Sequence, residues 1–125
     1  MSGLVVTEKQ FQATVIELAQ VLGYSVYHTH DSRRSEPGFP DLVLVRGRRL
    51  LFVEVKTDRG RMSAAQVKWL DALWFATGGH AYVWRPAQWD HIVEVLGGNA
   101  TSGAANRRDR MHREPAVPPV RSADA

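Results

Sequence analysis

Three charged residues at the ends of two apolar segments are the part of this sequence best suited to chemistry. Asp41 follows Pro40 at the start of the segment DLVLV, and Glu54 and Lys56 close the segment LLFVEVK. If the segments pair as an antiparallel hairpin, Asp41 and Glu54 meet at one end, and Lys56 shares the face of Glu54. Clustered carboxylates at the end of apolar strands favour a hard divalent cation.

This grouping predicts hydrolysis of a phosphodiester. A Mg²⁺ or Mn²⁺ ion at the two carboxylates would polarise the phosphate and lower the pKa of a bound water, while Lys56 would orient that water or stabilise the developing charge. The alternative is structural: Glu54 and Lys56 form an ordinary ion pair at a strand edge, and Asp41 only ends a turn. The pattern alone leaves both interpretations open.

The surrounding sequence predicts an α/β domain with the order α-β-β-β-α-β-α. We expect a mixed central sheet of about four strands flanked by helices, because alternating elements of this length pack as helices against a sheet. The predicted helices are residues 8–22 after an N-cap at Thr7, the segment between Ser63 and Gly78, and PAQWDHIVEVL; the predicted strands are YSVYHTH, residues 41–45, residues 50–55 and HAYVWR.

Length and composition favour a single small domain. The chain has 125 residues and no cysteine, which excludes a disulfide scaffold and any zinc site with sulfur ligands. It has no apolar run of the roughly 20 residues that cross a bilayer, so we expect no membrane association and a cytoplasmic protein. The net charge is +3, so any surface for nucleic acid must be a local patch.

We place the domain at residues 1–96 and a flexible basic tail at residues 97–125. The tail is rich in Gly, Ala, Ser, Pro and Arg and has few large apolar residues, so it cannot bury enough surface to offset the entropy lost on ordering. Its segment RRDRMHR is either an arm that contacts phosphates or a solvated stretch.

Three segments in order resemble the VRR-NUC (virus-type replication-repair nuclease) family of the PD-(D/E)xK nuclease superfamily. They are GFPDLV at 38–43, FVEVKT at 52–57 and GRMSAAQVKW at 60–69. The resemblance extends over about residues 7 to 96. It implies a restriction-endonuclease-like core and metal-dependent cutting of DNA, often branched or flapped. Small members similar to this chain are typical of bacteriophages, and a phage origin would imply the cytoplasm of a bacterial host cell.

The resemblance also implies roles for individual residues. Asp41 and Glu54 match the acids that bind the metal, the backbone carbonyl of Val55 would complete the ligation, and Lys56 matches the catalytic lysine. The cofactor implied is Mg²⁺ or Mn²⁺. The partner is DNA, and a homodimer is expected because so small a domain offers limited contact area.

Two further site residues come from the helices. The family has a glutamate in its first helix, and Glu8 fits better than Glu17 because it falls on the apolar face with Phe11; the alternative for Glu8 is a glutamate favoured by the helix dipole. Gln66 matches the family's glutamine. It is either catalytic or the second half of a capping box with Ser63.

Basic and polar loop residues are the candidates for contacts with DNA. The loop before Asp41 leads straight to the acidic residues, and a second polar loop follows Lys56. The predicted DNA-binding residues are Ser32, Arg33, Arg34, Ser35, Arg59 and Arg61. Three arginines, Arg46, Arg48 and Arg49, lie in the hairpin turn at the far end, where we expect them only to aid solubility.

Together these observations predict a divalent-metal-dependent DNA endonuclease specific for branched, flapped or Holliday-junction-like DNA. A plain flap or single-strand nuclease is the alternative within the same fold. A non-catalytic nucleic-acid-binding module is the alternative of another class. The presence of Asp41, Glu54 and Lys56 argues against the last, because a binding protein gains nothing from acids that face phosphate.

Overall fold

The computed structural model describes residues 6–29 and 36–98. Its elements in chain order are α1 Glu8–Val21, β1 Ser25–His28, β2 Leu42–Arg46, β3 Arg49–Val55, α2 Ala64–Thr77, β4 Ala81–Trp84, a 3₁₀ turn Pro86–Gln88 and α3 Trp89–Gly97. Within these ranges, no helix combines the length and the apolar character needed to span a bilayer. The predicted basic tail lies outside the described residues from position 99 onward.

Helix α1 begins and ends at the residues that the sequence indicates. The Thr7 side chain accepts a hydrogen bond from the amide of Gln10, and the Gln10 side chain accepts one from the amide of Thr7. This reciprocal capping satisfies two amides that have no partner inside the helix. At the other end Gly23 has φ +94°, a conformation that glycine adopts at little cost.

The four strands form one mixed sheet in the order β1-β2-β3-β4. β1–β2 and β2–β3 are antiparallel, and β3–β4 is parallel. The hairpin β2–β3 turns at Gly47, where φ is +61°. Parallel strands need a crossover, and helix α2 supplies it. The predicted α/β class, with its mixed sheet of four strands and flanking helices, is confirmed.

Helices cover both faces of the sheet and create two apolar clusters. The larger cluster joins α1 and α3 to one face, and the smaller joins α2 to the other. In β3, Val53 and Val55 belong to the larger cluster, whereas Phe52 packs on the α2 side. Because successive side chains of a strand alternate between faces, Glu54 also lies on the α2 side.

Two of the three hairpin-turn arginines are structural, so the expectation that they only aid solubility was wrong. Arg49 is 3% exposed and donates to the Tyr24 hydroxyl at 2.6 Å. Arg46 lies 4.5 Å from the centre of the Tyr24 ring and donates to the carbonyls of Leu22 at 3.0 Å and Leu96 at 3.2 Å. These carbonyls are at the carboxyl ends of α1 and α3, where unpaired carbonyls favour cations. The two arginines therefore join both helix ends to the hairpin.

Candidate active site

The candidate site lies at the end of the sheet where β2 begins and β3 ends. Leu42 pairs with Val53, so Asp41 and Glu54 are the next pair along the hairpin and share the α2 face. β2 starts only at Leu42, which pairs with Val53, so the backbone amide of Val55 lies beyond the start of β2. The Asp41 carboxylate accepts a hydrogen bond of 2.9 Å from that amide. This bond holds Asp41 against the end of β3, as the sequence predicted.

Glu54 is a buried carboxyl with one oxygen bound and one free. Only 2% of Glu54 is exposed. Its Oε2 accepts a hydrogen bond from Nε2 of Gln66 at 2.8 Å and lies 3.9 Å from Nζ of Lys56. Its Oε1 is buried and has no hydrogen-bond partner among the described residues. A buried acceptor without a partner is costly, so this oxygen is a place where a bound cation would be stabilising.

The surroundings of Glu54 favour its protonated form. Burial, followed by the neighbouring Asp41 carboxylate, raises the pKa of Glu54 to about 9, although Lys56 acts in the opposite direction. The ammonium at 3.9 Å is therefore too weak a partner to keep this carboxyl ionised at neutral pH. Additional positive charge at the site would be needed to ionise it.

Glu8 lies at the start of α1, near the same charges. Its side chain is exposed overall, yet partial desolvation and the Asp41 carboxylate raise its pKa, while Lys56 lowers it. Glu17 is exposed, as predicted. Within residues 6–29 and 36–98, however, no three His, Asp or Glu side chains are grouped closely enough to hold a metal. Glu8 is thus an electrostatic neighbour of Asp41 and Glu54, and its role as a ligand stays a prediction.

Gln66 caps α2 and also contacts Glu54, and its role in catalysis stays a prediction. Its side-chain Oε1 accepts a hydrogen bond from the backbone amide of Ser63 at 2.8 Å. The backbone amide of Gln66 donates to the Ser63 hydroxyl at 3.1 Å, which completes the capping box of α2. The same side chain donates through Nε2 to Glu54. Because an amide carries an acceptor and two donors, Gln66 can cap the helix and hold Glu54 at once.

Comparison with known proteins agrees with this arrangement. Residues 6–88 match the model of the VRR-NUC domain. The chain belongs to the VRR-NUC family. A similar solved structure is that of Hjc, a Holliday junction resolvase from the archaeal hyperthermophile Archaeoglobus fulgidus, with 29% identity and a TM-score of 0.44. The match covers 60% of this chain and 64% of that one. No curated protein matches the sequence.

The VRR-NUC match includes all three segments on which the sequence resemblance rests. Asp41, Glu54, Lys56 and Gln66 all lie inside it, and the structure brings these four side chains to one end of the sheet. Val55 ends β3 beside them and is fully buried. Its carbonyl stays a predicted ligand.

The loop after Lys56 is held by an arginine that the sequence analysis missed. Arg85 Nη1 donates to the carbonyls of Thr57 and Gly60, both at 2.7 Å. This loop carries Arg59 and Arg61, which are exposed and available for the predicted phosphate contacts. No local signal marks Arg85, because its partners are about 25 residues away in sequence.

The other predicted DNA contacts, Ser32, Arg33, Arg34 and Ser35, lie outside the described residues. They are the polar loop that precedes Pro40 and Asp41 in sequence, and their contact with DNA stays a prediction.

A row of aromatic rings that the sequence did not indicate supports the VRR-NUC site from the α2 side. Phe39 contacts Phe52 edge-on at 6.0 Å between ring centres, and Trp69 at 5.1 Å. Phe39 is two residues before Asp41, and Phe52 is two before Glu54. These rings therefore fix the spacing between the two acidic strands and α2, with each edge-to-face pair adding to the apolar packing.

Proposed function

We propose that this VRR-NUC domain is a divalent-metal-dependent DNA endonuclease. The observation that carries the proposal is the buried Glu54 beside Asp41. One of its carboxylate oxygens lacks a partner within the part of the chain that the structure describes, and Lys56 lies 3.9 Å from the other. A buried acceptor without a partner is costly, and a bound metal ion would satisfy it. A VRR-NUC domain with such a site is best explained as an active hydrolase.

The residues present fit a hard cation such as Mg²⁺ or Mn²⁺. Asp41 and Glu54 would hold it through carboxylate oxygens, with the Val55 carbonyl and Glu8 as further proposed ligands. Oxygen donors of these types are the ones that Mg²⁺ prefers. The raised pKa of Glu54 supports the same assignment, because a cation would repay the cost of ionising this buried carboxyl. When bound, the metal would polarise the scissile phosphate and activate water.

The chain's own residues position the reacting groups around this acidic pair. Gln66 holds Oε2 of Glu54 and leaves Oε1 without a hydrogen-bond partner among the described residues. The amide of Val55 orients Asp41. The Lys56 side chain, 12% exposed, carries a positive charge where negative charge develops on the phosphate, so it would stabilise the transition state more than the ground state.

The proposed substrate is branched, flapped or Holliday-junction-like DNA, cut during replication, repair or recombination. Membership of the VRR-NUC family supports this finer proposal. A homodimer would enlarge the small contact surface of one domain and place two sites on one junction. A plain flap or single-strand nuclease would use the same four residues, so substrate geometry must be measured directly.

A panel of end-labelled DNAs tests the proposal. Linear, nicked, flapped and four-way-junction DNAs are incubated with the protein and Mg²⁺, and the products are resolved by length. We expect cleavage of the flapped or four-way DNA, dependence on Mg²⁺ or Mn²⁺, and no cleavage in EDTA. Binding without cleavage under all metal conditions would instead support the non-catalytic binding module.

A further inference from the structure

A second concave site lies beside α2, separate from the acidic pair. It is a pocket of about 460 Å³, which is within the usual size range of small-ligand sites. Its lining residues are Glu36, Pro37, Ala65, Lys68, Trp69 and Ala72. Apart from one residue of each charge, the lining is apolar, with one large aromatic ring.

The walls of this pocket adjoin residues of the candidate active site along the chain. Trp69 lies three residues, about 4.5 Å along the helix axis, beyond Gln66. The opposite wall belongs to the segment that leads into Asp41. There Gly38 packs so closely on Ala65 that a Cβ would lie 2.4 Å from the Ala65 carbonyl carbon. Ala65 in one wall directly precedes Gln66, and Pro37 in the other wall lies four residues before Asp41.

We propose that the pocket receives one unpaired nucleobase of the DNA strand that enters the active site. This inference rests on the proposed function and adds a site for reading unpaired structure. Trp69 supplies an aromatic surface for stacking, and the small side chains of Ala65 and Ala72 leave room for a flat ring. Lys68 is exposed and pairs with the adjoining phosphate. Glu36 repels phosphate and accepts hydrogen bonds from amino groups of the base.

Paired DNA would not use this site, because its bases are stacked inside the duplex. Trp69 is only partly buried even though its ring packs against Phe39, so part of the indole surface remains for a ligand. The pocket would thereby favour flapped or open-junction DNA over continuous duplex. It gives a physical basis for structure specificity at a distance from the acidic residues.

The test fills the pocket without disturbing the core. Ala72 is exposed on α2, and Ala72→Leu adds a larger side chain to the pocket wall at a position where leucine favours helix. Ala76→Leu is the matched control: it is exposed on the same helix, one turn along, and does not line this pocket. The affinities of the three proteins are measured in EDTA for a duplex with a short unpaired flap and for a fully paired duplex.

We expect Ala72→Leu to weaken binding of the flapped DNA by about five- to 150-fold, which corresponds to the loss of one stacked base. Its affinity for the paired duplex should match that of the wild type, and Ala76→Leu should match the wild type on both DNAs. A 2-aminopurine in the flap should be quenched by wild type and Ala76→Leu, and should stay bright with Ala72→Leu.

Equal affinity of Ala72→Leu and wild type for the flapped DNA would overturn the pocket proposal, as would an equal loss on both DNAs. Neither result would affect the nuclease proposal, which depends on cleavage with Mg²⁺. Conversely, a wild-type protein that never cleaves DNA would refute the nuclease proposal, while the binding data in EDTA would still test the pocket proposal.

Discussion

Gln66 caps helix α2 and also holds Glu54 by a hydrogen bond, and two substitutions separate these roles. Gln66→Glu keeps an oxygen for the amide of Ser63, because glutamate is also a capping-box residue, but it replaces the donor to Glu54 with a carboxylate oxygen. Ser63→Ala removes the hydroxyl cap and leaves the bond between Gln66 and Glu54 in place. Gln66→Glu should therefore lower the cleavage rate, and Ser63→Ala should lower the free energy of unfolding.

The structure sets the size of both effects. The bond from Gln66 to Glu54 is 2.8 Å long and reaches a carboxyl that is 2% exposed. A hydrogen bond to a charged group contributes about 1.5–3 kcal/mol, so Gln66→Glu should slow cleavage by about 10- to 150-fold. Loss of the Ser63 cap should lower the free energy of unfolding by about 1 kcal/mol, with cleavage within about twofold of wild type.

The assay pairs initial cleavage rates in Mg²⁺ with urea unfolding of the same variants. Gln66→Ala serves as a third variant and should lose both activity and stability. If Gln66→Glu cut DNA at the wild-type rate while Gln66→Ala was only destabilised, Gln66 would be a helix cap alone, and the reasoning would be refuted.

Three further outcomes follow from the fold. Because the pKa of Glu54 is raised to about 9, the free energy of unfolding in EDTA should fall as pH rises from about 4.5 to 9. The fall should be at most about 1.4 kcal/mol per pH unit, and Glu54→Gln should flatten it in urea titrations. Gly38→Ala should lower the free energy of unfolding by about 2–4 kcal/mol, because φ is +88° and Ala65 leaves no room for a Cβ. Gly47 has open space around it, so Gly47→Ala should lower the free energy of unfolding by less than half as much. Arg49→Ala should cost about 1–3 kcal/mol by leaving buried acceptors unpaired, and a variant with wild-type stability would contradict its structural role.

Local signals in the sequence were sufficient to predict the elements and the acidic pair. Capping residues at Thr7 and Ser63 marked both long helices, because a cap is satisfied within three residues. The pairing of Asp41 with Glu54 followed from a hairpin, whose register is set by a short turn. Their roles in catalysis stay predictions that the geometry supports.

Features that join distant segments could not be predicted in the same way. Arg49 looked like an exposed turn residue, yet it is buried and donates to the Tyr24 hydroxyl and to the Val95 carbonyl of α3. Arg85 holds a loop about 25 residues earlier in the chain. Gln66 meets Glu54 only because α2 crosses over β3. Each of these contacts depends on how helices pack against the sheet, which has no signature in local spacing.

The most direct test of the central claim compares the wild type with Glu54→Gln on one labelled flapped or four-way DNA over a Mg²⁺ titration. Glutamine keeps the shape of the buried side chain but cannot ionise to hold a cation. The account predicts metal-dependent cleavage by the wild type, loss of cleavage in Glu54→Gln at every Mg²⁺ concentration, and equal or tighter DNA binding by the variant in EDTA. A folded Glu54→Gln that cuts at the wild-type rate, or a wild type that cuts fully in EDTA, would contradict it.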